Sequence, residues 1–461
     1  MTSIPAEWRA RAPAITEGAW RGLVRTLEHV DAPRWNQTLG DRVGERELEC
    51  LRSFRRTLVE QPLEDGREPS AAIAEWLESL RGRLWLLDGL PRGFDARRDF
   101  RAVPTTDRET IARRIEDLVP HDLDLEDAIV YSTSGTTGHA VIVPSHPSAM
   151  VQNLAHLERA AALHGVTLAP REGEPFALNV THQRSTYVFA TTLSGWAGAV
   201  FVKANLAAHD WAGGVARRER FLAEMAPRFV ASEPVTLAEM LRLELPVRPR
   251  VVVSSAVGLP SGAAAALRAA WGAAVVDLYS TTETGPIAVS LPGLDGHVVL
   301  CPDLFVEALD AHGERVADGE RGEITVTGGR NPFLPLVRYR TGDHGRLATV
   351  ALPDGRRARA ILDLEGRAPV TFRAADGSRV GSVDVARRIR PLAPIVQHQL
   401  HQSADGSLVL RLRPLPDMPI PRDAFQETLR ELFGRDARIS VEIDPNLGQD
   451  GRKLIPWSSD V

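Results

Sequence analysis

Residues 250–279 read RVVVSSAVGLPSGAAAALRAAWGAAVVDLY, and this stretch decides the fold. An apolar run ends in a turn, an alanine-rich segment of helical length follows, and a second apolar run comes after it. Two strands separated by such a helix favour a parallel pair with the helix packed across it. Related runs recur upstream as DAIVY, AMVQNLAHLERAAALHG, PFALNV, RFVAS and TLAEMLRLEL. The alternation predicts a mixed or parallel sheet covered by helices.

The two flanks differ from this centre. From Ile15 to about Glu116, apolar residues recur at helical spacing among many charges, which is typical of amphipathic helices. After Pro292, short apolar runs and tight turns indicate antiparallel strands. Near the end of the chain, the strand-like SLVLRLR and RISVEID flank the helical PRDAFQETLRELF. The flanks therefore predict a helical opening, a β-rich continuation and a small α+β unit.

Together these patterns predict an α/β protein of two domains. Residues 1–364 are expected to form a large N-terminal domain, in which a helical opening (1–120) precedes a core (121–364). That core would contain helix-covered mixed sheets and a β-rich subdomain. Residues 365–461 are expected to form a small, mobile α+β C-terminal domain.

The composition excludes several function classes. The 461 residues carry 55 Lys and Arg against 60 Asp and Glu, a net charge of -5, so no overall positive field attracts nucleic acid or anionic lipid. Cys50 and Cys301 form no CxxC pair, which argues against a disulfide framework and a thiolate zinc site. No apolar run is long enough to span a membrane, and no leader segment is evident. We expect a cytoplasmic protein without nucleic acid or membrane partners, and a homodimer is left open.

The segment Tyr131-Ser-Thr-Ser-Gly-Thr-Thr-Gly138 follows an apolar strand and precedes a helix-like stretch. Small residues let the backbone close around a ligand, and the hydroxyl and amide groups can donate to phosphate oxygens. For this segment alone, an anion cradle and an ordinary polar turn are equally good interpretations. A Walker-type loop is excluded because the sequence contains no Gly-Lys dipeptide.

Two later segments are also weak signals when taken singly. Tyr279-Ser-Thr-Thr-Glu283 places hydroxyls beside a carboxylate at a strand end, a pattern that suits a phosphate contact next to a Mg²⁺ ligand. In Arg338-Tyr-Arg-Thr-Gly-Asp343, an aspartate follows a glycine turn and could accept hydrogen bonds from two ribose hydroxyls. For either segment in isolation, a polar turn is the commoner explanation.

The order of these motifs is more specific than any one of them. Along the chain they are Thr133-Ser-Gly-Thr-Thr-Gly138, Tyr279-x-x-Thr-Glu283, Gly319-Glu-x-Gly-Glu323, Tyr339-Arg-Thr-Gly-Asp343, Gly366-Arg367 and Gly451-Arg-Lys453. Residues 127–461 thereby resemble the acyl-adenylate-forming (AMP-forming) ligase superfamily. The stretch from Pro335 to Asp343 is most similar to the phenylacetate-CoA ligase branch.

The resemblance implies a two-step reaction with ATP and Mg²⁺ as cofactors. A carboxylate attacks the α-phosphate to give acyl-AMP and pyrophosphate, and a nucleophile, first of all coenzyme A, then displaces AMP. The core would bind the nucleotide, and the C-terminal domain would act as a lid. The implied partners are a small-molecule acid and a thiol or amine acceptor.

The resemblance also implies roles for individual residues. Thr282 would contact the α-phosphate and Glu283 the Mg²⁺, while Lys453 would bridge the acid and the α-phosphate as the mobile catalytic cation. Lys453 is one of only two lysines, the other being Lys203. Tyr279 would stack on adenine, Asp343 would accept the ribose hydroxyls, and Arg367 would lie against ribose or phosphate. The remaining nucleotide-binding residues would be Thr133, Ser134, Gly135, Thr136, Thr137, Gly138, Ser280 and Thr281.

In the family, the pocket that binds the acid lies between the end of one strand and the turn that follows another strand. Both segments have counterparts in this chain. His182 and Tyr187 would line the pocket from the first, with Arg184 as an anchor for a second polar group. Ser254, Ser255 and Ala256 would line it from the second. For a lone His or Arg at such a position, a structural role is the commoner explanation, and the identity of the acid stays open.

Three departures from the family pattern keep alternatives open. The phosphate loop continues with His139, where the family usually has Pro-Lys or Lys-Pro. Ser280 stands where the family commonly has glycine. Pro369 stiffens the link after Gly366-Arg367. The loop Ala374–Arg379 matches the thioester-forming members only loosely. One alternative is an adenylating enzyme with a non-CoA acceptor or an unusual oxyacid substrate. Another is a nucleotide-binding relative without turnover.

Overall fold

The computed structural model describes residues 3–60, 63, 66–133, 141–300, 302–352, 355–366, 370–416, 418–448 and 454–461. Its helices are α1 Ala6–Arg11, α2 Glu17–Leu27, α3 Glu45–Glu60, α4 Ala71–Ser79, α5 Arg108–Arg114, α6 Pro147–Leu163, α7 Val215–Met225, α8 Pro234–Arg242, α9 Ser261–Trp271, α10 Ser382–Ile389 and α11 Arg422–Phe433. In the part of the chain that is described, every helix is too short or too polar to cross a lipid bilayer.

Apart from β1, which lies in the predicted helical opening, the strands fall into the regions that the sequence patterns indicate. They are β1 Thr106–Asp107, β2 Ile129–Thr133, β3 Val141–Ser145, β4 Pro175–Thr181, β5 Phe189–Leu193, β6 Ala199–Asn205, β7 Phe229–Ser232, β8 Val251–Ser254, β9 Ala274–Thr281, β10 Gly285–Ser290, β11 His297–Val299, β12 Phe305–Leu309, β13 Arg321–Gly328, β14 Leu336–Ala351, β15 Arg357–Glu365, β16 Thr371–Arg373, β17 Arg379–Gly381, β18 Ile395–Gln402, β19 Leu408–Pro414, β20 Ile439–Ile443 and β21 Trp457–Ser459.

One mixed sheet runs through the larger part of the molecule in the order β12-β13-β14-β15-β11-β10-β9-β8-β7-β4-β6-β5, with β1 added beside β14. The strands from β9 through β8, β7 and β4 to β6 are parallel, as expected for strands joined by helices. The strands from β12 to β10 pair antiparallel, as the tight turns predict. The predicted α/β class is confirmed.

Strand β9 joins the two kinds of pairing. Its first half, from Ala274 to Asp277, is parallel to β8, and its second half, from Leu278 to Thr281, is antiparallel to β10. Tyr279 and the polar residues after it therefore lie where the parallel region of the sheet gives way to the antiparallel region. The carboxyl ends of parallel strands are a common place for ligand sites.

Helices cover both faces of the parallel region. Trp20 of α2, Phe221 of α7 and Leu267 of α9 belong to the buried cluster on one face. Ala160 and Ala161 of α6 belong to the cluster on the other face. This two-sided covering explains why β7 and β8 are continuous apolar runs and do not alternate.

The C-terminal strands form a separate sheet in the order β20-β19-β18-β21. Phe425 and Phe433 of α11 and Val385 of α10 pack in its core. Val396 of β18 also packs with Val235 of α8 and Ala263 of α9, so this sheet contacts the helices of the large sheet. The division at 364/365 stays a prediction.

Candidate active site

Two of the polar motifs meet at the end of β9. The Tyr279 hydroxyl lies 3.0 Å from Asp343 Oδ2 and 3.2 Å from Thr341 Oγ1. The Tyr279 side chain is buried, and burial followed by the Asp343 carboxylate raises its pKa well above the usual value for tyrosine. The phenol therefore stays protonated and donates to the carboxylate. Residues 64 positions apart in sequence are in direct contact here.

The backbone around Asp343 is held by the motif that ends at Glu323. The Gly342 N–H donates to Glu323 Oε1 at 3.0 Å, and Arg340 Nε donates to Glu323 Oε2 at 2.7 Å. Gly342 has φ +79°, which a residue with a side chain rarely adopts. Glu323 thus supports the loop that presents Asp343.

Several predicted residues lie outside the described part of the chain: Ser134, Gly135, Thr136, Thr137, Gly138, Arg367 and Lys453. Thr133 is described only as the last residue of β2. Gly366, the residue before Arg367, adjoins the site, because a Cβ built on it would lie 3.4 Å from Asp343 Oδ1. The roles of these residues stay predictions.

The turn after β9 exposes one hydroxyl and buries one carboxylate. The Thr284 N–H donates to Thr281 Oγ1 at 3.1 Å, so the Thr281 side chain serves the turn itself. Gly285 closes the turn with φ +68°. Ser280 is half-buried, Thr282 is exposed and Glu283 is buried. Thr282 is therefore the residue of this turn that is open to a phosphate oxygen.

Glu283 has a cationic neighbour that the sequence did not reveal. Arg108 Nη1 lies 3.0 Å from Glu283 Oε1, and the Glu283 side chain is only 4% exposed. Burial, followed by the charge of Glu283, raises the pKa of the Tyr339 phenol above its usual value. A single carboxylate beside an exposed hydroxyl suits a Mg²⁺ ion that arrives bound to nucleotide phosphates. Such an ion would share Glu283 with Arg108.

Backbone pairing brings Arg108 to this place. Strand β1 lies parallel to β14, with Thr106 beside Tyr339 and Asp107 beside Arg340. Asp107 then caps α5 by accepting from the Thr110 N–H at 2.7 Å, and Arg108 is the first residue of the helix. The Asp-x-x-Thr spacing could have located the start of the helix, but it carries no information about the strand that α5 would approach.

Three predicted substrate residues lie at the end of β8 and directly after it, beside β9. Ser254 is fully buried, and within the described residues its hydroxyl has no hydrogen-bond partner. The Ser255 N–H donates to the Ser232 carbonyl oxygen at 3.1 Å. Ala256 has φ +72°, a conformation that is unfavourable for a residue with a side chain and is often found near ligand sites. Because Ser254 pairs with Asp277 of β9, this turn lies one strand away from Tyr279.

The other predicted substrate residues have different surroundings. The His182 N–H donates to Thr236 Oγ1 of α8, and its Nδ1 lies 4.0 Å from Glu239 Oε1. His182 helps to line a cavity of about 730 Å³ between α8 and the C-terminal segment that contains Arg413. Tyr187 is 60% exposed, and Arg184 is exposed as well. Their contact with a substrate stays a prediction.

Comparison with known proteins identifies the family. The model of the AMP-binding enzyme family matches residues 65–331, which is more than half of the chain. The chain belongs to the AMP-binding enzyme family. The match confirms the predicted enzyme of the AMP-forming ligase superfamily, and it includes the contact residues Arg108, Tyr279 and Glu283.

This AMP-binding enzyme is similar over limited segments to two curated proteins. It is 28% identical over 260 residues to naringenin synthase of Pestalotiopsis fici, covering 46% of this chain and 9% of that protein. It is 34% identical over 107 residues to phenylacetate-coenzyme A ligase of Aromatoleum evansii, covering 22% of this chain and 24% of that protein. The chain thus matches less than a quarter of the length of both relatives.

A solved structure shares the fold of this AMP-binding enzyme almost from end to end. It is 2-hydroxyisobutyryl-CoA ligase in the postadenylation state, in complex with R3-HIB-AMP. The TM-score is 0.57 at 17% sequence identity, with 90% of each chain covered. At this identity, the likeness concerns the fold alone.

Proposed function

We propose that this protein activates a carboxylic acid with ATP, releases pyrophosphate and transfers the acyl group from acyl-AMP to a nucleophile, with coenzyme A as the leading candidate. The contact between Tyr279 and Asp343 carries the proposal, because it unites two separate adenylation motifs at the end of β9. Thr282 and Glu283 lie in the turn directly after β9. In this proposal Asp343 is the ribose acceptor and Thr282 is the phosphate contact.

Each residue has a task that its surroundings support. Asp343 accepts the ribose hydroxyls while Tyr279 holds one of its oxygens, and the exposed Thr282 donates to the α-phosphate. Glu283 would hold the Mg²⁺ that arrives with ATP, and this ion would neutralise charge on the phosphates. Lys453 is expected to bring the acid carboxylate and the α-phosphate together, which offsets the repulsion between two anions.

The first step needs only the acid and ATP as reactants. A carboxylate oxygen forms a bond to the α-phosphorus, and the bond from that phosphorus to the bridging oxygen breaks, so pyrophosphate leaves with the electron pair. In the second step the acceptor attacks the acyl carbon, AMP leaves, and the acceptor loses its proton. We propose Ser254, Ser255 and Ala256 as one wall of the acid site because Ser254 pairs with Asp277 of β9 and the other two residues follow it in the chain.

The first experiment is ATP–pyrophosphate exchange with a library of aromatic, aliphatic, hydroxy and amino acids. The names of the similar proteins are the reason to include aryl and small hydroxy acids. We expect exchange that depends on one class of acid and is abolished by Asp343→Ala. If no acid supports exchange although Mg·ATP still binds, either the protein is a nucleotide-binding relative without turnover or its substrate is an unusual oxyacid outside the library.

The acceptor is tested in a second experiment with the acid found in the first. Products formed with coenzyme A, with amines and with no acceptor are compared by mass spectrometry. We expect the acyl thioester of coenzyme A. An acyl amide, or acyl-AMP that stays bound in the presence of coenzyme A, would instead support the alternative of a non-CoA acceptor.

A further inference from the structure

We propose that Arg330 and Asn331 form a buried brace between the Thr281–Gly285 turn and the hairpin of β2 and β3. In this inference, which rests on the proposed adenylation, both are positioning residues that set the spacing of the two phosphate-binding segments. Both lie in the connection between β13 and β14, at 8% and 7% exposure. Neither belongs to the motifs that predicted the site.

Arg330 holds the turn through hydrogen bonds to its backbone. Its Nη1 donates to the carbonyl oxygens of Thr284 at 2.8 Å and Pro286 at 2.7 Å. Its Nε donates to Asp303 Oδ2 at 2.9 Å, which fixes the plane of the guanidinium. Thr284 directly follows Glu283 in the chain. A shift of the guanidinium would therefore shift the residues proposed to contact the α-phosphate and the metal.

The turn is packed tightly onto this support. A Cβ built on Gly285 would lie 2.8 Å from Asn153 Oδ1 and 3.3 Å from Arg330 Nη1. Glycine at this position thus permits the close approach as well as the positive φ. Behind Asp303, His156 of α6 is fully buried, with Nε2 3.6 Å from Asp303 Oδ1. Arg330 and His156 of α6 therefore lie against the same carboxylate.

Asn331 holds the hairpin. Its Nδ2 donates to the Pro144 carbonyl oxygen at 2.8 Å, and its Oδ1 accepts from the His146 N–H at 3.1 Å. Pro144 lies on β3, opposite Val130 of β2. Residues 134–140, which carry the predicted phosphate loop, connect these two strands in the sequence. The loop joins the other end of these strands, so Asn331 fixes the hairpin that carries it at the end away from the loop.

Arg330 and Asn331 cannot move independently, because they are neighbours in the chain and consecutive Cα atoms are held about 3.8 Å apart. One ATP molecule must reach both segments, with its α-phosphate at the turn and its outer phosphates at the loop. A change of about 1 Å in their spacing would cost on the order of 100-fold in rate. AMP has no outer phosphates and needs only the turn and Asp343.

The test uses the full-length chain with Arg330→Met, Arg330→Lys, Asn331→Ala and Asn331→Asp. Aspartate retains the oxygen that accepts from His146 but loses the donor to Pro144, so it breaks only the hydrogen bond to β3. Arg359→Met is the matched control, since Arg359 is 3% exposed and donates to Asp318 at 2.9 and 2.7 Å without joining the two segments. Calorimetry measures binding of Mg·ATP and of AMP, and pyrophosphate exchange measures kcat and the KM for ATP.

We expect Arg330→Met and Asn331→Ala to lower kcat about 100-fold and to weaken Mg·ATP. Asn331→Ala should change AMP binding less than about threefold, whereas Arg330→Met should also weaken AMP, because it releases the turn that AMP contacts. Arg330→Lys should recover part of the rate, and Asn331→Asp should behave like Asn331→Ala. Equal weakening of ATP and AMP by Asn331→Ala, or kinetics that match Arg359→Met at the same loss of thermal stability, would overturn the inference. If Asn331→Ala does not fold, Asn331→Asp decides the outcome by the same ratio.

The two proposals fail in different ways. If the parent protein shows no exchange with any acid but the Asn331 variants lose ATP selectively over AMP, the brace stands and the adenylation is wrong. If the parent exchanges and the variants keep both its rate and its preference for ATP over AMP, the brace is wrong and the adenylation stands.

Discussion

Replacing Arg108 by alanine should destabilise the folded protein, because it leaves the Glu283 carboxylate buried without its cation. The charges are joined by a 3.0 Å contact from Arg108 Nη1 to Glu283 Oε1. At an effective dielectric constant of about 20, their attraction is about 5 kcal/mol. The Arg108 side chain is 34% exposed, so solvent screens part of it. We therefore expect a loss of about 2 to 3 kcal/mol in the free energy of unfolding.

Urea unfolding of four proteins measures this effect: the parent, Arg108→Ala, Glu283→Gln and the double variant. The double variant should recover at least half of the loss, since no buried charge then remains unpaired. The control is Arg113→Ala in the same helix. Arg113 is 72% exposed and pairs with Glu109 on the surface, so its removal should cost less than about 0.5 kcal/mol.

Two results would refute this reasoning. One is an Arg108→Ala protein as stable as the Arg113→Ala control, which would mean that the Glu283 carboxylate is already well solvated. The other is a double variant no more stable than Arg108→Ala, which would mean that the loss comes from packing of the Arg108 stem and not from charge.

Three further predictions concern pH and the proposed site. Burial lowers the pKa of His156 to about 4 and of His398 to about 3, so both rings stay neutral in the folded state while the unfolded chain takes up protons below about 6.5. The stability that each neutral ring contributes is thus fully present above pH 6.5. It is lost as the pH falls towards 4 for His156 and towards 3 for His398. Between pH 7 and 5 the free energy of unfolding should drop by about 2 kcal/mol per ring. Lys453→Ala should lower pyrophosphate exchange about 100-fold or more while calorimetry still detects Mg·ATP. Tyr279→Phe should raise the KM for ATP about tenfold and reduce the preference for ATP over 2′-deoxy-ATP, because Asp343 loses the donor that orients it.

Each of these has its own control. For the pH series, His398→Phe should remove the contribution of that ring, and a free energy of unfolding that is flat between pH 7 and 5 would contradict the expectation. Lys203→Ala is the matched control for Lys453, and an unchanged exchange rate in Lys453→Ala would take that lysine out of the mechanism. For Tyr279→Phe, an unaltered discrimination against 2′-deoxy-ATP would show that Asp343 does not depend on the phenol.

The sequence by itself determined the fold class and the order of most elements. Strands and helices differ in apolar periodicity, which is a local property, so β7 to β9 and helices α6, α8 and α9 follow from the pattern. Helix α10 and strand β18 were not singled out. The former has a helical period but spans only 8 residues, and the latter, IVQHQLHQ, carries polar residues on both faces and has no clear period.

The motifs also identified the family, because their order along the chain is itself a specific signal. They assigned Tyr279 and Asp343 to one nucleotide site but did not predict the direct contact between them. Only the tertiary structure decided that Arg108 faces Glu283 and that Arg330 and Asn331 link the turn to the hairpin. These contacts join residues 44 to 187 positions apart. Their partners are largely backbone carbonyl oxygens or a carboxylate, which every segment offers, so the local sequence cannot specify them. Strand pairing and burial select one partner from many equivalent ones.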